Sequence, residues 1–247
     1  MIRYKNLRPN LHCKVLTLLG LFAATLSAAP AIVTPEAVVE NYTLASHEQA
    51  RVMQGASMEV EIEASLPKLK KHGRLHALRH ISRLGRITYD ALRFEGDNTI
   101  KTNVIARYLA AETQSQSSEP DALAVTPANY KFKYKGLVQN GGASVQVFEV
   151  TPKHKRVGLF KGEIWIDADT YLRVRESGRL VKNPSIFLKK IEFVRQYEIR
   201  DGLSVPLQIH TVAETRLVGP AELTVNFRNV SLAEGPQRAS LVDVGDQ

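Results

Sequence analysis

Three histidines, His72, His76 and His80, follow one another at intervals of four residues and would form a metal site if they lay on one helix. Gly73 and the surrounding pattern indicate a turn and a strand instead. On a strand, residues four positions apart are separated by about 13 Å, which is too far for a single ion. No carboxylate lies among them, so we expect surface histidines and no metal site.

Three carboxylates, Glu163, Asp167 and Asp169, are close enough in the sequence to act as an acid–base pair of the glycosidase type. Carboxylates along one strand are, however, common on the solvent-facing side of a sheet. Ser177 and Gly178 lack the flanking residues of a nucleophile elbow, and the sequence contains no Gly-rich phosphate loop. We therefore expect no catalytic residue, no cofactor and no enzymatic activity.

Apolar contact is the chemistry that the sequence does offer. Between residues 161 and 232, apolar and polar residues alternate in several runs of roughly 7 to 13 residues, which predicts long antiparallel strands with one apolar face. We expect this face to contact an apolar ligand, although the same residues would also suit an ordinary filled core. The residues concerned are Ile164, Ile166, Ile191, Phe193, Ile209, Leu223, Val225 and Phe227.

Two helices and further strands accompany these runs. Thr34 followed by Pro35 predicts the start of a helix that ends near Gly55, and a second helix is predicted over Ile100–Glu112. Additional strands are predicted over residues 57–66, 74–83, 86–95, 129–138 and 144–151. The expected fold class is α+β, a half-open curved antiparallel β-barrel of about 8–11 strands with two main helices packed as a plug or lid on its concave face.

The two ends of the chain have their own patterns. Residues 1–31 contain a basic lead, a short apolar stretch and a small-residue exit, which predicts a secretory signal peptide cleaved near Ala31. Cleavage after Ala29 and an uncleaved anchor are the alternatives. The prediction is then a single domain over residues 32–232 and a polar C-terminal tail over 233–247. The only cysteine, Cys13, lies in the leader, so the exported chain would have no disulfide.

The net charge of the exported chain argues against nucleic-acid binding. The chain has 33 basic and 25 acidic residues, and four of the basic residues lie in the predicted leader, so the exported chain would be only mildly basic. A basic hairpin is nevertheless predicted from Lys68, Lys70, Lys71, Arg74, Arg79, Arg83 and Arg86. It is interpreted either as a solvated sheet edge or, through Lys68, Lys70, Lys71 and Arg74, as a contact for an anionic membrane surface or an envelope protein.

Four short segments carry a resemblance to a known family. They are Thr126–Phe132, Val150–Lys153, Phe160–Asp167 and Lys182–Ser185. Together they resemble an uncharacterised subgroup of the LolA-like periplasmic proteins, the outer-membrane lipoprotein-sorting family. The resemblance implies an incomplete β-barrel with helices in its mouth and an apolar cavity for lipoprotein acyl chains. Carriers of this family use a buried arginine to control opening, but no motif in this sequence places that arginine.

The function expected from these observations is non-enzymatic. The exported, monomeric protein would bind or shuttle a lipidated or apolar ligand in the periplasm, such as the acyl chains of lipoproteins, under a cover near residues 100–122. The alternative is an envelope protein-interaction or sensor module that has the same fold and a filled core. Because each exposed CH₂ of a lipid tail costs about 0.8 kcal/mol in water, such a carrier needs a dry surface and no catalytic group.

Overall fold

A computed structural model describes residues 33–115 and 120–233. The predicted signal peptide and nearly all of the predicted C-terminal tail lie outside these residues. The strands are β1 (Ser57–Leu66), β2 (Lys71–Ile81), β3 (Ile87–Gly96), β4 (Tyr130–Asn140), β5 (Ala143–Pro152), β6 (Phe160–Asp167), β7 (Arg173–Leu180), β8 (Leu188–Arg200), β9 (Leu203–Thr215) and β10 (Pro220–Ser231). The helices are α1 (Pro35–Val52), α2 (Asn98–Ile100), a π-helical turn (Lys101–Ile105) and α3 (Ala106–Ser115), with short 3₁₀ turns at Pro67–Leu69 and Pro120–Ala122.

The ten strands form one antiparallel sheet in the order β3-β2-β1-β10-β9-β8-β7-β6-β5-β4. Strands that are consecutive in the sequence are neighbours in the sheet, except β3 and β4, and β1 also pairs with β10. Within the described residues β3 and β4 are the two edges, so the sheet is not closed. The α+β class and the number of strands are as predicted, and the barrel is an open one.

Helix α1 begins where the sequence predicts. The side chain of Thr34 accepts a hydrogen bond from the Ala37 amide at 3.3 Å, and Pro35 occupies the first turn. At the other end, Gln49 exchanges two hydrogen bonds with the backbone of Ser204, at 2.9 and 3.0 Å. This reciprocal pair attaches α1 to the start of β9.

The second helix, which comprises α2, the π-helical turn and α3, is longer than predicted at both ends. Asp97 caps it by accepting a hydrogen bond from the Thr99 amide at 2.7 Å. Ile100 and Ile105 are buried against the sheet. The π-helical turn widens one helical turn directly beside these two residues.

The helices cover the same face of the sheet, here called the inner face, at two separate places. The second helix packs on the first apolar cluster, formed mainly by β1, β2 and β10 and containing Met58, Val60, Ile62, Leu75, Val225 and Phe227. Helix α1 packs on the second apolar cluster, formed mainly by β4, β5, β6 and β8 and containing Tyr130, Phe148, Val150, Phe160, Ile164 and Phe193. Within the described residues, no helix has the length and apolar composition needed to cross a membrane.

Strand β7 is the element that the sequence analysis missed. It has no apolar alternation, because its sequence is Arg-Val-Arg-Glu-Ser-Gly-Arg-Leu. Gly178 on this strand lies opposite Gly162 of β6, and the backbones approach so closely that a Cβ on Gly162 would lie 1.9 Å from the Ser177 carbonyl oxygen. The Ser177-Gly178 pair is therefore part of a strand and serves close strand packing.

Candidate functional site: a charged centre on an apolar sheet face

The eight predicted ligand contacts lie on the inner face but do not form one continuous surface. Ile164, Ile166 and Phe193 belong to the second apolar cluster. Leu223, Val225 and Phe227 belong to the first, and Ile209 packs against it. Ile191 is half-buried and belongs to neither cluster. Their role as ligand contacts stays a prediction.

A cross-strand row shows what separates the two clusters. Residues paired between antiparallel strands share a face, and the register places Ile164, Glu176, Arg195, Ile209 and Val225 in one row from β6 to β10. The middle of the inner face is therefore charged. Sequence analysis missed the two charged residues of this row, Glu176 and Arg195, because it predicted no strand at β7 and assigned no face to Arg195.

The central ion cluster consists of Arg173, Glu176, Arg195 and Tyr197. The Glu176 carboxylate accepts hydrogen bonds from Arg173 Nη1 at 3.2 Å and from Arg195 Nη1 at 3.1 Å. Tyr197 Oη donates to the same carboxylate at 3.2 Å, and the Arg173 guanidinium lies 4.7 Å from the centre of the Tyr197 ring. The Glu176 side chain is 1% exposed, whereas the two arginine side chains are 35% and 36% exposed.

The electrostatics of this cluster favour an ionised Glu176. Burial alone would raise the pKa of Glu176, but the Arg173 and Arg195 guanidiniums and the hydrogen bonds outweigh it, so the pKa lies below its usual value. Two arginines around one carboxylate leave one surplus positive charge on the inner face. We infer that the cluster fixes the geometry of β7 and β8 and keeps this part of the face polar.

A second ion pair connects the second helix to the sheet. Arg79 Nη2 and Nε of β2 donate to Glu112 Oε1 of α3 at 2.9 and 3.2 Å, and Tyr89 Oη of β3 donates to Glu112 Oε2. The Arg79 and Glu112 side chains are only 10% and 17% exposed. These three residues are here called the helix latch. Glu112 is the last residue of the predicted second helix, so its position on that helix agrees with the sequence analysis.

Arg79 corrects the prediction of a wholly solvated basic hairpin. It occupies the inward positions of β2 together with Leu75 and Ala77, and its guanidinium lies 6.0 Å from the centre of the Phe227 ring. Burial alone would lower the pKa of Arg79, but the Glu112 carboxylate raises it above the usual value. The two-residue periodicity of the strand could have revealed the inward position of Arg79, since residues 75, 77 and 79 share one face.

Tyr108 of α3 is packed, partly buried, against the first apolar cluster. Burial and the Glu112 carboxylate raise the pKa of Tyr108 well above its usual value, while Arg79 and Arg195 act in the opposite direction. The second helix therefore lies within electrostatic reach of both charged groups. Its motion would alter the surroundings of both at once.

Of the four predicted surface contacts, two form ion pairs within the protein and two are exposed. Lys71 forms an ion pair with Asp97 at 3.3 Å, and Arg74 pairs with Glu61 at 3.1 Å and also with Glu63. Lys68 and Lys70 are exposed on the β1–β2 turn. Contact of these four with a membrane or an envelope protein stays a prediction.

The residues considered for metal binding and catalysis lie on strands or in a turn. His72 and His76 are exposed on β2, and within the described residues no group of three or more His, Cys, Asp or Glu side chains is arranged to hold a metal ion. The Asp167 carboxylate accepts hydrogen bonds from the Asp169 and Thr170 amides at 3.2 and 2.8 Å. It thereby stabilises the β6–β7 turn.

Two cavities are present, and Ala64 is the one residue of the first apolar cluster in their linings. One of about 630 Å³ is lined mainly by charged and polar side chains of β1, β2, β9 and β10, among them Glu63, His72, Arg74 and His210. Another of about 450 Å³ lies over the Gly162–Gly178 pair and includes Phe193 in its lining. The first apolar cluster itself is filled by the second helix.

Similarity to known proteins is found among solved structures. No family model matches the chain, and no curated protein matches it. Similar solved structures include a DUF1329 family protein from Desulfovibrio piger (16% identity, 80% of this chain and 94% of that one, TM-score 0.41) and a LolA superfamily protein from Nitrosomonas europaea (9%, 83% and 96%, 0.41). A third, described as an outer membrane lipoprotein-sorting protein domain, comes from Vibrio parahaemolyticus (13%, 81% and 95%, 0.35).

These structures include the group that the sequence motifs resemble. All three TM-scores lie below 0.5, so the likenesses by themselves assign no function to this chain.

Proposed function

We propose that the protein is a non-enzymatic carrier or binder of a lipidated or otherwise apolar ligand in the periplasm. The ligand would lie on the first apolar cluster after the second helix has moved away. The observation that carries this proposal is the way the helix is attached. A polar latch of Arg79, Glu112 and Tyr89 holds it over an apolar sheet face.

The contrast with α1 supports the choice of the second helix as the cover. Helix α1 is fixed at its end by the reciprocal Gln49–Ser204 hydrogen bonds and contributes Val38, Val39 and Tyr42 to the second apolar cluster. The second helix buries Ile100 and Ile105 completely and contributes only partly buried side chains beyond them. The second helix differs from α1 in that its polar attachment is an ion pair, whose strength depends on the charges around it.

Exchange between helix and ligand would be close to balanced. A lipid tail gains about 0.8 kcal/mol for each CH₂ that it buries. The helix loses a similar amount for each apolar group that it withdraws from the same surface. The polar latch then decides which state is populated, because a largely buried ion pair is sensitive to small changes around it.

A second function is compatible with one specific observation. Both apolar clusters are filled by the chain's own side chains, which is the arrangement expected of an envelope protein-interaction or sensor module. Such a module would keep the second helix in place and would use its outer surfaces for binding.

Native mass spectrometry of the protein recovered from its own cell envelope distinguishes the two functions. For a carrier we expect a population with the added mass of one or more acyl-chain-containing molecules, and lipid extraction should release them. A protein that is recovered only without added mass, together with a helix-latch variant that also carries none, would contradict the carrier and favour the interaction module.

A further inference from the structure

Four loops meet at one end of the sheet and form what we call the basic rim, residues 67–70, 153–158, 181–187 and 216–219. Arg216 Nε donates to the Ile186 carbonyl at 2.7 Å, and the Arg216 amide donates to the Phe187 carbonyl at 3.0 Å. The Lys68 side chain lies against Gly219, since a Cβ placed there would be 2.4 Å from Lys68 Cδ. The Val181 amide donates to the Leu159 carbonyl at 3.0 Å, directly beside the loop of residues 153–158. The four loops are therefore one surface.

The charge of the basic rim has a single sign. The four loops contain seven lysines and arginines and no aspartate or glutamate. The basic residues are Lys68, Lys70, Lys153, Lys155, Arg156, Lys182 and Arg216. Such a surface attracts anionic partners over a distance of about one Debye length, roughly 8 Å at physiological ionic strength.

Large apolar side chains project from the same loops. Ile186 is 79% exposed and Leu217 is 83% exposed. Leu69, Val157 and Phe187 are also exposed. At the opposite end of the sheet, the turns at residues 82–86, 141–142, 168–171 and 201–202 expose one large apolar side chain, Leu84.

We propose that the basic rim docks the protein onto an anionic lipid surface. The cations would contact lipid phosphates, and Leu69, Ile186, Phe187 and Leu217 would enter the boundary between head groups and acyl chains. An anionic bilayer accommodates both features, because it offers negative charge and an apolar layer just below it. A highly acidic polypeptide segment would satisfy the cations but would offer little apolar surface for the loop tips.

Vesicle co-sedimentation tests the apolar part of this proposal. The wild-type protein is expected to bind vesicles containing phosphatidylglycerol and to bind pure phosphatidylcholine vesicles much more weakly. The triple variant Ile186→Ser, Phe187→Ser and Leu217→Ser is expected to lose roughly a hundredfold in vesicle affinity. The matched control, Leu84→Ser, changes a 78% exposed leucine at the other end of the sheet and should leave binding unchanged.

The charged part is tested with a second pair of variants. Lys68→Ala with Lys70→Ala should weaken binding to the anionic vesicles by about fivefold for each cation. Arg83→Ala with Arg86→Ala is the control, because these arginines flank Leu84 at the opposite end. All proteins share the same N-terminal residues, so any contribution of that segment cancels.

Two outcomes would overturn the proposal. One is an equal loss of vesicle binding in the rim variants and in the control variants at the opposite end of the sheet. That result would show that the rim is not the docking surface. The other is a rim that binds a soluble acidic polypeptide but no vesicle, which would assign it to a protein partner. Circular dichroism and thermal unfolding of every variant verify that the loops have been changed without loss of the fold.

Discussion

Glu176→Gln should lower the free energy of unfolding by about 2–4 kcal/mol, which is a large effect for the loss of one charge. The Glu176 side chain is 1% exposed and receives hydrogen bonds from Arg173, Arg195 and Tyr197. Glutamine retains the shape but leaves two guanidiniums beside each other without a counter-charge. Because both arginine side chains are about one-third exposed, water compensates part of the loss. Urea unfolding of the two proteins measures the difference.

A matched surface variant isolates the effect of burial. Glu198 forms an ion pair with Arg200 at 2.8 Å, and both side chains are about half exposed. Glu198→Gln should therefore change stability by no more than about 0.5 kcal/mol. Equal effects of the two substitutions would contradict the structural role of the central ion cluster.

The Glu176→Gln substitution should also change how the stability of the protein depends on pH. The pKa of Glu176 is lower in the folded protein than its usual value of 4.5, so its contribution to stability is complete above that value. The contribution is lost as the pH falls through the lower folded-state pKa. The stability difference between wild type and Glu176→Gln should accordingly shrink in strong acid, as unfolding curves across this range can show. A difference that grows on acidification would contradict the lowered pKa.

Arg79→Met should release the second helix from the sheet. The substitution preserves much of the apolar volume of the side chain and removes the guanidinium, so the largely buried Glu112 carboxylate loses its principal counter-charge. We expect a cost of about 2–3 kcal/mol, concentrated in local opening of residues 98–115. Hydrogen–deuterium exchange should show faster exchange in the second helix, while β5 and β6 keep their protection.

Arg83→Met is the control for this experiment. Arg83 is exposed on the β2–β3 turn, so exchange in the second helix should not change. Uniformly faster exchange over the whole sheet in Arg79→Met would indicate global destabilisation. That result would contradict a latch that acts on one helix.

Strands with clean alternation could be predicted from the sequence, and strand β7 could not. The run Ser57–Leu66 alternates five buried and five less buried residues, and β1 matches the prediction at both ends. In β7 the inward positions carry Glu176 and Gly178, so the periodic signal is absent. A strand whose inner face is charged can be recognised only after its neighbours are known, because Glu176 is paired by Arg195 and Tyr197 on β8 and by Arg173 at the start of β7.

The pairing of strands that are distant in the sequence could not be predicted either. Strand β1 pairs with β10, and nothing local in either segment selects that partner. Two hairpin turns, by contrast, can be recognised in the sequence. Asn140-Gly141-Gly142 and Asp201-Gly202 supply the positive φ angles that tight turns require, with φ of +59° and +90° at the two glycines of the first turn and +74° at Gly202. Arg79 was assigned to the surface because its charge was given more weight than its position among inward residues of β2.

Photo-crosslinking at Phe227 tests the central claim most directly. Phe227 lies in the first apolar cluster beneath the second helix, and a benzoyl-phenylalanine in its place preserves an aromatic ring there. Arg228, the next residue, is exposed on the outer face and provides the matched control. In cells, the carrier account predicts adducts with lipid or lipidated protein from position 227 and none from 228. Adducts from position 227 only to residues 98–115 of the same chain, in both wild type and Arg79→Met, would contradict it.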